Sequence, residues 1–167
     1  MGYSLSEINQ MDRAAFTSTL GHLFERTPTI AASAWPQRPF ASKAALHGAL
    51  VDIMRSLPPS QQLALIGAHP DLGSRAKMAD ASVQEQASVG LDQLTPEEFD
   101  AMKQLNQCYR DKFGFPFIIA VKHHTKTSIL AALQQRLQNA PEAEQAAALN
   151  QIAEIARLRL DDLVSLP

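Results

Sequence analysis

Apolar residues recur at helical spacing through nearly the whole of this 167-residue chain, and the pattern breaks at one place. Phe113-Gly-Phe-Pro-Phe-Ile-Ile-Ala-Val121 sets a glycine and a proline inside an aromatic, β-branched run. Pro116 removes a backbone donor and opposes helix, while Ile118, Ile119 and Val121 favour extended backbone. No second run offers a partner strand. The expected fold is therefore all-α: a multi-helix bundle in a single domain spanning residues 1–167, with one short extended segment near residues 115–121. Once buried, such a segment must find partners for its N–H and C=O groups. Neighbouring side chains, helix ends, or a polar planar ligand lying edge-on to the main chain could each supply them.

Helix punctuation is clearest at Thr95-Pro96-Glu97-Glu98, where threonine can cap, proline can take the first helical position and glutamate the third. This predicts a helix carrying Phe99, Met102, Leu105 and Tyr109 as far as Phe113. Ile8, Met11, Ala15 and Phe16 share helical spacing near the start. Pro28, Pro36 and Pro39 mark a looser region around Trp35. Ser42 can cap a helix through Leu46, Leu50, Ile53, Met54 and Leu57, which Pro58-Pro59 stops. Ser60 would open the next, from Gln61 to Ala68. Further helices are expected from about Thr127, and from Pro141 through Ile152, Ile155 and Leu160.

Composition narrows the class of function. The formal net charge is -2 and the basic residues are scattered, so a nucleic-acid partner is not expected. A single cysteine, Cys108, allows no internal disulfide and no cysteine-built metal centre, and reads as a packed thiol on the Phe99–Phe113 helix. No apolar run reaches the roughly 20 residues needed to span a bilayer. Met1 to Glu7 has neither a basic region nor an apolar core, and Ser-Leu-Pro at the end is not a Ser-Lys-Leu address. A cytoplasmic protein without a membrane partner is the expectation.

The residues with chemical potential are few. Gly67-Ala-His-Pro-Asp-Leu-Gly73 holds one histidine directly before a proline. Pro70 bars His69 from the α region, so an arriving helix ends there with an imidazole, the side chain that titrates nearest neutral pH, at a fixed point. Ser82-Val83-Gln84-Glu85 has the form of a capping box, with Ser82 at the cap and Glu85 and Gln86 in the first turn. A helix start also suits an anionic ligand. His123 and His124 are adjacent and so point to different sides. With His69 they sketch a metal-dependent hydrolase, but no acidic spacing supports a metal ligand set. Arg157 and Arg159 face different sides of the last helix. Arg159, between Leu158 and Leu160, could lie at the surface or turn inward to grip a carboxylate.

Taken in order, Gly67-Ala-His-Pro-Asp-Leu-Gly73, Ser82-x-x-Glu85-Gln86 with Gly90-Leu91, Leu94-Thr-Pro-Glu-Glu-Phe99, Leu105-Asn-x-x-Tyr109 and Phe113-Gly-Phe-Pro-Phe-Ile-Ile-Ala-Val121 closely resemble one family, the OHCU decarboxylases. Their substrate is 2-oxo-4-hydroxy-4-carboxy-5-ureidoimidazoline, an unstable product of urate oxidation. The resemblance runs from near Leu5 to about Leu163. It implies an all-α homodimer that releases carbon dioxide and forms (S)-allantoin without a cofactor or metal. It implies His69 as the catalytic acid/base; Glu85, whose carboxylate could orient a substrate or share a proton, is the second catalytic candidate. Pro70, Ser82, Val83, Gln84, Glu85 and Gln86, and Phe117, Ile118, Ile119, Ala120 and Val121 are implied as substrate-binding segments. Arg159 is implied as the helix arginine that approaches the substrate, with Arg157 as the other occupant. The stretch from Gly73 to Ser82 is shorter than in many relatives and reads Ala79-Asp80-Ala81-Ser82, a departure that bears on loop geometry. A competing expectation keeps the pocket without the chemistry: a helical module that binds a ureide or purine-derived ligand.

Overall fold

The computed structural model describes residues 2–74 and 80–165. Among them are nine α-helices and no strand, with one isolated bridge between Tyr3 and Val164. The chain divides into two compact units, one formed by residues 1–65 and 153–167, the other by residues 66–152.

The first unit begins with α1 (Leu5–Gln10) and α2 (Arg13–Leu20). The sequence pattern runs through Met11 without a break, but Asp12 interrupts it. Its carboxylate accepts from the Ala15 N–H at 2.8 Å, so a new helix starts where the apolar spacing alone gave no signal. The proline-marked region also holds a helix, α3 (Thr29–Ala34), which packs against α2 and α4 (Lys43–Ser56). Pro28 precedes α3 and Pro36 sits in the short 3-10 turn after it, so the prolines frame a helix rather than exclude one. Ser42 caps α4 as expected, accepting from Ala45 N–H at 3.0 Å. The core gathers Ile8, Phe16, Leu20, Leu23, Phe24, Ile30, Leu46, Leu50 and Met54, each essentially closed to solvent. Each such side chain contributes about 1.5–3 kcal/mol of burial free energy.

The unit boundary falls within α5 (Pro59–Gly67) and within α9 (Pro141–Leu163). Helix α5 starts at Pro59, two residues before the expected Gln61, so Ser60 lies inside the helix and does not open it. The Pro58 carbonyl accepts from Gln61 and Gln62, and Pro59 loses nothing at a position whose N–H would be unpaired anyway.

The second unit contains α6 (Asp80–Ser88), α7 (Pro96–Phe113), α8 (Lys126–Arg136) and the first part of α9. Thr95 and Glu98 close the expected reciprocal cap at 3.1 Å in each direction. Gly114 ends α7 in the left-handed region at φ 78°, its N–H returning to the Arg110 carbonyl. Met102, Asn106 and Tyr109 form the inner face of α7. Cys108 lies off that face and is exposed, so the packed-thiol expectation is corrected by helical phase. Tyr109 is fully buried among Phe113, Phe115 and Phe117, with ring centroids 4.5, 5.9 and 5.4 Å away.

Thr95→Ala removes the α7 cap and should cost about 0.5–2 kcal/mol. A urea titration should show a lower midpoint with an unchanged slope.

Candidate active site

The chain leaves α5 at Gly67, and the His69 N–H returns to the Ile66 carbonyl at 3.2 Å, the last turn before Pro70. His69 is buried, at 8% exposure. This fits an imidazole held at a helix end rather than a solvated one. The loop that follows is fastened at three points. The Asp71 carboxylate accepts from Arg110 Nε at 2.8 Å. The Leu72 carbonyl accepts from Asn106 Nδ2 at 2.9 Å, and the Gly73 N–H donates to Gln86 Oε1 at 3.0 Å. Gly73 needs its glycine, because its φ is +69° and an added Cβ would lie 2.8 Å from Leu94 Cδ1.

Helix α6 supplies Ser82 to Gln86. The helix already includes Asp80, so Ser82 lies inside its first turn and is not the cap. The capping-box expectation fails because Asp80 and Ala81 extend the helix toward residues 75–79, which lie outside the described residues, as does most of the loop that sets this chain apart from its relatives. Helical phase then sorts the five side chains. Ser82 and Gln86, four apart, are buried at 6% each. Glu85 is half-buried, while Val83 and Gln84 face outward. The far end of α6 closes in a Schellman motif: Leu91 N–H reaches the Gln86 carbonyl at 3.0 Å, Gly90 N–H reaches Ala87, and Gly90 has φ +81°. Helix α6 packs on the 3-10 turn at Val121–His123, directly after the non-helical strip.

That strip, residues 115–121, is buried along its whole length. Its backbone partners are side chains and one turn. Arg136 Nη1 donates to the Ile118 carbonyl at 2.6 Å, and Ala120 N–H donates to Gln151 Oε1 at 2.9 Å. The carbonyls of Ala120 and Val121 accept from the His123 and His124 amides. Among the described residues, nothing partners the main-chain groups of Phe117 and Ile119. Three of the four sequence-designated segments are thus linked in one unit: the His69 loop to α6 through Gln86, and α6 to the strip through the 121–123 turn.

The arginines on α9 belong to the other unit and separate cleanly. Arg157 is only half-buried, with 43% of its side chain open to solvent, and pairs with Glu154 and Asp161 of its own helix. Arg159 is buried; its Nη2 lies 3.0 Å from Glu25 Oε1 and its Nη1 donates to the His22 carbonyl at 3.2 Å. Burial, and then the nearby Arg159 charge, depresses the His22 pKa below 6.5. His123 is exposed and His124 bonds Ser128 Oγ at 3.0 Å. Among the described residues no three histidine, cysteine or acidic side chains gather as a metal site. No helix among them is long and apolar enough to cross a membrane.

A family model described as OHCU decarboxylase matches residues 9–161. The chain belongs to the OHCU decarboxylase family. It is similar to a 2-oxo-4-hydroxy-4-carboxy-5-ureidoimidazoline decarboxylase of Halalkalicoccus jeotgali, 40% identical over 96% of this chain and 91% of that protein. It is 42% identical over 98% of its length to the uric acid degradation bifunctional protein PucL of Bacillus subtilis, of which it spans 33%. Among solved structures, an (S)-allantoin synthase superposes with TM-score 0.79 at 30% identity, over 98% of this chain and 54% of that one. An OHCU decarboxylase crystallised in the presence of (S)-allantoin shares the fold, with TM-score 0.68 at 24% identity over 81% of this chain and 89% of that one. The family resemblance carried by the sequence motifs is borne out.

Sequence reasoning missed the side chains that hold this family member's strip. Glu144 is fully buried and receives Arg136 through Nε and Nη2, Asn139 Nδ2 at 2.9 Å, and the Tyr109 hydroxyl in a very short bond. A signal for it did exist. Glu144 lies on the buried stripe of Ala148, Ile152 and Ile155, where a carboxylate demands a partner. Arg136 offered no such cue, since it sits in a last turn where a basic residue is ordinary.

Burial raises the Glu144 pKa, but its bonds from Arg136, Tyr109 and Asn139 outweigh this and hold it below its ordinary 4.5. Burial, with the Glu144 bond second, pushes the Tyr109 phenol well above its ordinary 10.0. A depressed carboxyl pKa contributes stability above its unfolded value, lost as pH falls through the folded one. A raised phenol pKa contributes stability below its unfolded value, lost as pH rises past it. The urea midpoint should therefore decline below about pH 4.5 and again above about pH 10. Tyr109→Phe should flatten the alkaline decline.

Proposed function

We propose that this chain decarboxylates 2-oxo-4-hydroxy-4-carboxy-5-ureidoimidazoline to (S)-allantoin in urate degradation, residues 1–167 acting as one domain and two copies forming a homodimer. The observation that carries the reading is the buried His69, fixed on a loop tied to the helix of Glu85, which packs beside the non-helical strip.

Decarboxylation breaks a carbon–carbon bond and must place its electron pair. In this substrate the carbon that bears the carboxylate adjoins a ring carbon–nitrogen double bond, so the pair enters the ring as carbon dioxide leaves. The hydroxyl on the same carbon gives up its proton as it becomes a carbonyl. A new proton then reaches the neighbouring carbon, the one that carries the ureido group. The substrate is its own electron sink, and the chain's task is orientation, charge stabilisation and proton delivery.

His69 handles the proton. Because it enters from one fixed side, a single enantiomer results. Glu85 positions the ureido or hydroxyl end. The Phe117–Val121 main chain, with its unpartnered groups at Phe117 and Ile119, reads the ring's alternating N–H and C=O edge, and Pro70 and Ser82 border it. The resemblance also assigns Arg159 to the substrate's anionic end.

The labile substrate can be generated from urate with urate oxidase and the upstream hydrolase, and product formation followed by circular dichroism. Spontaneous decay gives racemate, so optical activity reports catalysis. His69→Asn should lower kcat at least about 10²-fold with helix content unchanged. Glu85→Gln should also lower kcat. Because Glu85 is not the partner of a capping box here, this loss reports the carboxylate rather than a weakened helix start. Near-normal turnover in folded His69→Asn removes His69 from the role. Binding of allantoin without turnover by the unmodified protein favours the non-catalytic module.

A further inference from the structure

The Ile118–Ile119 peptide carries a charge on one side and offers a free donor on the other. Its carbonyl accepts from the Arg136 guanidinium at 2.6 Å. The only cis bond in the described chain is Arg38–Pro39, so this peptide is trans, and its N–H points opposite to its C=O. That N–H belongs to Ile119, and among the described residues nothing accepts from it. The guanidinium itself has little freedom. Glu144 takes its Nε and Nη2, and the group lies 4.5 Å from the Phe117 ring centre. Tyr109 and Asn139 occupy the remaining carboxylate lone pairs.

We propose that Arg136 is a positioning residue that polarises the Ile118–Ile119 peptide, making the Ile119 N–H a strengthened donor for the negative charge that builds on the substrate ring as carbon dioxide leaves. This rests on the decarboxylase reading. A cation bonded to a carbonyl draws electron density through the amide and makes its N–H a better donor. In a buried setting that gain is screened less than in water. The demand also grows along the reaction, because the ring is most electron-rich after the carbon–carbon bond breaks. A donor that strengthens its bond at that stage raises kcat more than it lowers KM. Glu144 keeps Arg136 from turning toward the substrate carboxylate as an ordinary ion partner. The Arg136 charge then acts through the peptide and not by direct contact.

Removing Arg136 alone strands a buried carboxylate, so the test uses Arg136→Gln combined with Glu144→Gln, which removes both charges together. Arg136→Lys keeps a cation and serves as the conservative control. We expect the double variant to hold its helix content, to lose about tenfold in kcat with KM changed less than threefold, and to shift the ligand-free Ile119 amide proton upfield in a 15N–1H spectrum. Arg136→Lys should recover most of both losses. A folded double variant with kcat within twofold of the parent and an unmoved Ile119 amide overturns the proposal. So does a lysine variant as impaired as the double variant, and if the double variant does not fold, the lysine variant decides by the same two readouts. A parent protein that does not turn over the substrate counts against the decarboxylase reading, and the Ile119 amide shift still decides the polarisation by itself.

Discussion

The course of residues 115–121 depends on one ion pair. A buried segment that is neither helix nor strand must satisfy its backbone one group at a time. Arg136 takes the Ile118 carbonyl while Glu144, closed to solvent, neutralises and aims the guanidinium. Gln151 takes the Ala120 amide. Breaking a buried pair of this kind by removing one member costs about 3–5 kcal/mol, because the survivor keeps an uncompensated charge. The gain is a rigid, non-helical backbone at a place where a helix would have closed every amide on itself.

The same economy of polar groups shapes the loop after α5. Proline ends the helix, but proline alone does not say where the chain goes next. Gln86, Asn106 and Arg110 do, each binding a different residue of the loop. Two of these are amides on inner helix faces, where an apolar residue would pack with less demand. The Gln86 side-chain oxygen is thus committed to Gly73. This gives Gln86 a structural reason to occupy a segment that motif comparison assigns to substrate binding.

Local signals were legible and remote ones were not. Thr95 with Glu98, and Ser42, declare helix starts through bonds that span four residues, so the sequence can be read there directly; Thr125 caps α8 in the same way, yet apolar spacing set that start near Thr127. Asp12 also caps a helix, yet continuous apolar spacing hid the break beside it. Ser82 failed in the opposite sense. It had the pattern of a cap, but the helix had already begun. Cys108 was misplaced by one step of helical phase, since its neighbour Tyr109 holds the inner position. The side-chain partners of His69's loop and of the strip lie 13 to 39 positions away, and no local pattern encodes them. Family motifs reached these segments because the ordered set is distinctive, not because any one motif carries its own geometry.

A strip of main chain is a fitting reader for a ring whose edge alternates N–H and C=O. Peptide groups present the same alternation at fixed spacing, and they do not titrate. Side chains able to do this would be amides or carboxylates, which carry rotamer freedom that must be lost on binding. On the proposed reading, backbone dipoles held by Arg136 and Gln151 need little rearrangement when charge moves into the ring. A catalyst whose substrate already contains its electron sink gains most from such a preset environment. The chemistry left over is one proton, which a single imidazole at a fixed helix end can supply.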